Sequence, residues 1–155
     1  MVAGDGATCV RSKGDLKCWG NAPAVPAAIA GKVAEVGLGH DIHCARLDGG
    51  EVTCWGGKAT GTVAVGAPAR ALAVAPYQGA AVRADGKVMF WWLESTTPPK
   101  QVSLVDPARV MCAGHCCALG KDGSVLCWGD NLMGQLGNPD QGLGGSTEVP
   151  TPVAL

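Results

Sequence analysis

Aromatic residues are scarce in this chain, at 5% of 155 residues, with one tyrosine and one phenylalanine beside five tryptophans. A core must therefore rest on Val, Ala, Leu and those tryptophans. An excess of one charge is also lacking: 13 acidic and 12 basic side chains leave a net charge of −1. There is no basic field to draw phosphates, so no nucleic-acid partner is expected. The longest uncharged stretch of apolar character, Ala71 to Val82, is 12 residues between Arg70 and Arg83, well short of the ~20 needed for a membrane helix. No membrane span is expected. Met1-Val2-Ala3-Gly4-Asp5 has neither the basic region nor the apolar stretch of a signal peptide, so an export signal would lie outside these residues. No segment reads as a capped amphipathic helix.

Catalytic signatures are missing too. There is no phosphate-binding glycine loop and no His-Glu-x-x-His. Ser146, in Gly144-Gly145-Ser146-Thr147-Glu148, lacks the last glycine of a nucleophile elbow. His40, His43 and His115 fall where strands begin, a place that favours structural hydrogen bonding over base catalysis. Asp48, Asp85 and Asp122 sit beside turn glycines, where Asp accepts backbone hydrogen bonds. Neither catalysis nor a bound cofactor is expected.

What the chain does have is repetition. CVRSKGDLKCWG (residues 9–20) returns as CARLDGGEVTCWG (44–56) and CALGKDGSVLCWG (117–129), and AVRADGKVMFWW (81–92) is a degenerate copy. Trp19, Trp55, Trp91 and Trp128 are spaced 36, 36 and 37 residues apart. Short alternating runs such as Glu51-Val52-Thr53-Cys54-Trp55, with Asp-Gly or Gly-Asp turns between them, are hairpin chemistry. Each hairpin follows another β-rich run, as in Val33-Ala34-Glu35-Val36 and Arg70-Ala71-Leu72-Ala73-Val74. Units of this period bury their apolar faces only against neighbours. Three or four short strands per unit fit a propeller blade better than a flat solenoid. The expected fold is all-β: a β-propeller or propeller segment of about four blades, built of short antiparallel four-stranded sheets. It forms one repeat domain over 1–155, with copies at approximately 3–32, 33–68, 69–105 and 106–155.

The last copy continues as Gly129-Asp130-Asn131-Leu132-Met133-Gly134-Gln135-Leu136-Gly137, which resembles the signature of the regulator of chromosome condensation repeat family. Ala3-Gly4-Asp5-Gly6-Ala7-Thr8-Cys9-Val10 and Leu38-Gly39-His40-Asp41-Ile42-His43-Cys44-Ala45 are similar to the family pattern that precedes the hairpin. The resemblance implies a β-propeller, commonly seven-bladed. The short copies are more similar to bacterial members, which include a propeller that inhibits β-lactamases. The complete Gly-Gln-Leu-Gly signature occurs once.

Cys9 with Cys18, Cys44 with Cys54, and Cys117 with Cys127 flank hairpin turns at separations of 9, 10 and 10 residues, which can place them opposite each other for cross-strand disulfides. The third copy puts Ala81 and Phe90 at the two cysteine positions, so both thiols are lost together, as expected of a bonded pair. The alternative is buried free thiols in a cytosolic protein. For Cys112 and Cys116, in Met111-Cys112-Ala113-Gly114-His115-Cys116-Cys117, the readings are a fourth bridge, free thiols, or zinc. Zinc would lack a fourth ligand, so no metal is expected. Disulfides place the protein in an exported, extracytoplasmic compartment.

Each tryptophan follows its cysteine and so points to the opposite face of the strand, where it is expected to pack between blades. Trp92 replaces the usual glycine and is expected near the surface. Partners are expected at loops on one end of the propeller. The variable residues there are Asp5, His40 with Asp41, and Tyr77 with Gln78. In similar bacterial inhibitor propellers the matching positions carry aromatic contacts. The candidate contact set is thus Asp5, His40, Asp41, Tyr77, Gln78 and Trp92, serving non-enzymatic protein recognition. A lectin-like carbohydrate-binding module is the alternative, and guanine nucleotide exchange follows from family analogy alone. The boundary between the last and first copies looks short for a closed ring. Further blades, or a homo-oligomer in which a second copy completes the propeller, are expected to cover the terminal sheets.

Overall fold

Alternating β-branched and small residues, punctuated by turn glycines, fold into fifteen strands in a computed structural model that describes residues 1–4, 6–57, 60–104, 106–138 and 144–154. The first sheet comprises β1 (Val2–Gly4), β2 (Ala7–Ser12) and β3 (Asp15–Gly20). The second comprises β4 (Val33–Leu38), β5 (His43–Leu47), β6 (Val52–Trp55) and β7 (Gly61–Val63). The third comprises β8 (Ala69–Val74), β9 (Gln78–Arg83), β10 (Val88–Trp92) and β11 (Lys100–Val102). The fourth comprises β12 (Pro107–Cys112), β13 (His115–Gly120), β14 (Val125–Asp130) and β15 (Ser146–Pro152). Every pairing is antiparallel between sequence neighbours, so each sheet is a meander. The first sheet has three strands among the described residues where four were expected. One short 3-10 helix, Ala27–Ile29, lies in the connection from the first sheet to the second.

The register accounts for the repeated Cys-Trp pair. Cys9 opposes Cys18, Cys44 opposes Cys54, and Cys117 opposes Cys127. All three pairs are disulfides, and Cys112 is bonded to Cys116 across the β12–β13 turn. In the third sheet Phe90 opposes Ala80, not Ala81, which corrects the expected alignment by one residue. Two consecutive alanines hide the slip in the sequence. The joint loss of both thiols stands, because Ala80 and Phe90 occupy the paired positions.

One residue on, each tryptophan turns to the other face and meets the preceding sheet. Trp55 packs with Leu16 of the first sheet, and Trp91 with Cys44, Val52 and Cys54 of the second. Trp128 packs with Ala80, Val82, Val88 and Phe90 of the third. The core is thus a series of layers between sheets rather than one central cluster. Trp91 lies so close over Gly79 that a Cβ there would sit 2.4 Å from its ring, so glycine is required. First strands adjoin as well: β1 lies against β4, β4 against β8, and β8 against β12. This places equivalent ends of successive sheets side by side.

A second device repeats at the hairpin turns. Val33 N–H donates to Gly14 O (3.0 Å), Ala69 N–H to Gly50 O (2.7 Å), and Asp106 N–H to Gly86 O (3.1 Å). Each bond clamps the incoming first strand to the turn of the preceding sheet. At Gly50, φ is +87° and a Cβ would lie 2.6 Å from Pro68 Cβ. The corresponding Gly123 (φ +88°) has nothing within 4 Å. Gly50→Ala is therefore expected to destabilise the fold by roughly 1–3 kcal/mol more than Gly123→Ala, the excess being steric, since both share the left-handed backbone strain. Denaturant titration of the two variants checks this, and equal losses would contradict the clamp.

Candidate partner-binding rim

The connections from first to second strand, residues 39–42, 75–77 and 113–114, lie at the same end of the second, third and fourth sheets. Each is closed by its own hydrogen bond: Gly39 N–H to Ile42 O (3.0 Å), Ala75 N–H to Gln78 O (2.8 Å) and Ala113 N–H to His115 O (2.7 Å). The loops are also tied to one another. His40 N–H donates to Pro76 O at 2.9 Å, and Gln78 Nε2 donates to Ala113 O at 3.4 Å. The result is a continuous rim whose backbone is fixed by neighbouring sheets.

Three of the expected contact residues come together there. Tyr77 is 58% exposed, and its ring stands 6.0 Å from that of His40 at a 46° tilt. His40 Nε2 is 4.0 Å from Asp41 Oδ2, with both side chains about half exposed. The arrangement is an amphipathic patch with an aromatic anchor and a hydrogen-bonding carboxylate.

The other candidates behave differently. Gln78 is 1% exposed. Side-chain alternation turns it inward beside Tyr77, where it links the third sheet to the fourth and is withdrawn from the surface. Trp92 is half-buried, and its indole N–H donates to Glu148 Oε1 at 3.1 Å. Lys100 also pairs with Glu148. Lys100, and after it the Trp92 N–H, hold the Glu148 carboxyl below its ordinary value. This exposed brace is present at neutral pH and is lost as pH falls through that lowered value. Asp5 lies outside the described residues. His43 is fully buried, edge-on to Trp55 at 5.9 Å, a packing role. Cys112 and Cys116 are bonded to each other, which removes both thiolates from the zinc alternative. Among the described residues no three His, Cys, Asp or Glu side chains gather as metal ligands.

The sequence reading missed Leu132 and Met133, which are 60% and 86% exposed in the loop after β14, at the same end as the rim. Asp130 Oδ1 accepts from Leu132 N–H (3.1 Å), and Asp130 Oδ2 from Gln135 Nε2 (2.9 Å). Gln135 Oε1 accepts from Met133 N–H (2.8 Å), and Asn131 Oδ1 from Leu136 N–H (3.1 Å). With Leu136 fully buried as a plug, the loop holds two apolar side chains in solvent. The Asp-Asn-x-x-x-Gln spacing was the available signal, because those polar residues bond back to the loop between them.

This loop and the turn before β13 carry the decisive similarity. Residues 113–135 match the family model described as Regulator of chromosome condensation (RCC1) repeat. The chain carries a repeat of that type. The resemblance read from Gly129 to Gly137 is borne out, and so is the all-β propeller-type fold. Human WBSCR16 superposes with a TM-score of 0.80 at 18% identity, over 99% of this chain and 52% of that one. Prp20p from Saccharomyces cerevisiae gives 0.78 at 19%, over 98% and 49%. The ectodomain of the Physcomitrella patens receptor kinase CR4 gives 0.64 at 24%, over 83% and 41%. No curated protein sequence matches the chain. The chain spans about half the length of the first two solved structures, and these identities speak to fold.

Proposed function

We propose that this chain is a non-enzymatic protein-recognition module that binds its partner through the rim formed by residues 39–42, 75–77 and 113–114. The observation that carries the reading is Tyr77, exposed beside His40 on loops whose backbones are hydrogen-bonded from sheet to sheet. A rigid aromatic side chain loses little conformational entropy on binding, and Tyr is a favoured hot-spot residue. Prp20p is described as binding Gsp1p and histones, which supports protein recognition as a use of this fold without naming a partner here. Four disulfides support an oxidising, extracytoplasmic location. That location and the near-neutral charge weigh against guanine nucleotide exchange.

The lectin-like alternative needs exposed indole faces. Trp55, Trp91 and Trp128 are 4%, 6% and 0% exposed and offer none, so Trp19, at 50%, is the repeat tryptophan that presents an indole to solvent. A cleft of about 300 Å³ beside Trp92 has Ser95, Thr96 and Thr97 in its wall, and saturable glycan-array binding that is lost on substituting these residues would favour this alternative.

The test is affinity capture with the oxidised chain, followed by titration of the captured protein. Tyr77→Ala is expected to weaken binding by ~30-fold or more. Trp92→Ala is expected to act mainly through stability, because Trp92 braces the third sheet to the fourth. Unchanged affinity in a Tyr77→Ala/His40→Ala double variant would reject the rim.

A further inference from the structure

The net charge of −1 conceals a separation along the strands. The connections at the rim end join first to second and third to fourth strands. Among their described residues they carry Asp41 and Glu94 and no Lys or Arg, and Asp130 closes β14 at the same end. Of the twelve Lys and Arg side chains, Lys58 lies outside the described residues and Lys100, beside the rim, pairs with Glu148. Setting those two aside, the other ten lie at or toward the opposite end, where the hairpin turns are. Cations there are matched: Arg83 pairs with Asp85, and both Arg70 and Lys121 pair with Asp106. At the rim, Asp41 is exposed 4.0 Å from His40. Glu94 is exposed and makes no ion pair among the described residues.

The apolar side chains that reach solvent at the rim sit among these carboxylates. Leu93 N–H donates to the Tyr77 carbonyl at 2.9 Å, which joins Glu94 to the patch of Tyr77, His40 and Asp41. The patch also continues toward the fourth sheet. A Cβ on Gly129 would lie 3.3 Å from Gln78 Oε1, and a Cβ on Gly114 would lie 4.0 Å from Asp130 Oδ2. Leu132 and Met133 follow Asp130 directly. Three large exposed side chains, Tyr77, Leu132 and Met133, thus share one end with three carboxylates.

We infer that this surface docks an arginine-bearing, partly apolar segment of a partner protein, an inference that rests on the rim being the binding surface. Charge complementarity selects the occupant. A guanidinium stacks on an exposed aromatic face while its N–H groups donate to a carboxylate, and the Tyr77 loop is hydrogen-bonded to the loops that carry Asp41 and Glu94. Leu132 and Met133 supply an apolar seat. Their loop is already fixed by Asp130, Asn131 and Gln135, so little ordering is left for binding to impose. The same carboxylates repel phosphate chains and anionic bilayers. Charges at the edge of an interface govern encounter and salt response more than final affinity. The apolar anchors therefore carry affinity, and the carboxylates carry selectivity.

The experiment is selection of a display library of random dodecapeptides on the oxidised full chain, followed by titration of individual peptides. The expected peptides carry Arg next to Leu, Phe or Trp, and their dissociation constants rise about tenfold between about 50 and 500 mM salt. Asp41→Asn with Glu94→Gln is expected to weaken them by ~10-fold and to flatten that salt response. Leu132→Ser with Met133→Ser is expected to weaken them by ~30-fold at either salt concentration. Asp48→Asn removes an exposed carboxylate at the hairpin-turn end and should leave binding unchanged, and circular dichroism verifies the fold of every variant. Uncharged or acidic peptides that lose affinity with Tyr77→Ala overturn the arginine-bearing occupant and leave the rim reading standing. Peptides indifferent to Tyr77→Ala and to both double variants overturn the two together. A selection without enrichment over the bare support also overturns the inference.

Discussion

Replacing Trp128 with alanine is expected to remove about 3–5 kcal/mol of folding stability, whereas the same change at Trp19 should cost under ~1 kcal/mol in the monomer. The two residues hold equivalent positions in the repeat, so the contrast isolates what a neighbouring sheet contributes. Trp128 is fully buried against Val82, Val88 and Phe90, with the Phe90 ring edge-on at 6.2 Å. Truncation leaves a cavity between two rigid sheets that cannot close, because each is fixed by its own ladder. Its indole N–H has no hydrogen-bond partner among the described residues, so the stabilisation comes from apolar contact and not from a polar anchor. Denaturant titration of the two variants under dilute conditions measures the contrast. Equal losses would mean that the sheets do not lean on one another through these residues.

Reduction of the disulfides is the second large effect. Each hairpin bridge closes a loop of 9 or 10 residues, for which the chain-entropy account gives about 2–3 kcal/mol apiece. Three together approach roughly 8 kcal/mol, comparable with the 5–15 kcal/mol total of an ordinary domain. In thiol reductant the chain is therefore expected to lose its cooperative transition or to melt far lower. The bridges should not open together. Cys44 and Cys54 are 0% and 4% exposed beneath the third sheet and should resist longest, whereas Cys112 and Cys117 are only partly covered. Timed alkylation with mass spectrometry gives the order, and thermal melts give the loss. A reduced protein that melts like the oxidised one would remove the bridges from the account.

Local chemistry carried most of this fold into the sequence. The 36-residue tryptophan period, the turn glycines and the cysteine spacings each reflect one repeated hairpin, and all were legible because cross-strand neighbours within a hairpin are also near in sequence. The register of the third hairpin was not. Ala80 and Ala81 are indistinguishable as letters, and backbone pairing with Phe90 decides between them. Contacts between sheets were legible only through the tryptophans. The burial of Gln78 depends on Ala113, 35 residues away, and the clamp on Gly50 depends on how the next strand enters. At the rim, Tyr77, His40 and Asp41 could be found because variable residues at one point of every repeat must share one end of the stack. Leu132 and Met133 escaped because their exposure follows from side-chain hydrogen bonds within their loop, whose pattern occurs once.

Successive sheets are held face to face by one tryptophan from each of the second, third and fourth. Native-state hydrogen exchange of the five indole N–H groups, followed by NMR on the oxidised chain, reads this packing at each tryptophan. Trp55, Trp91 and Trp128 are expected to exchange only through global unfolding, with a common protection free energy. Rapid exchange of any of the three, with the strand amides still protected, would show sheets that form without packing on one another and would contradict it.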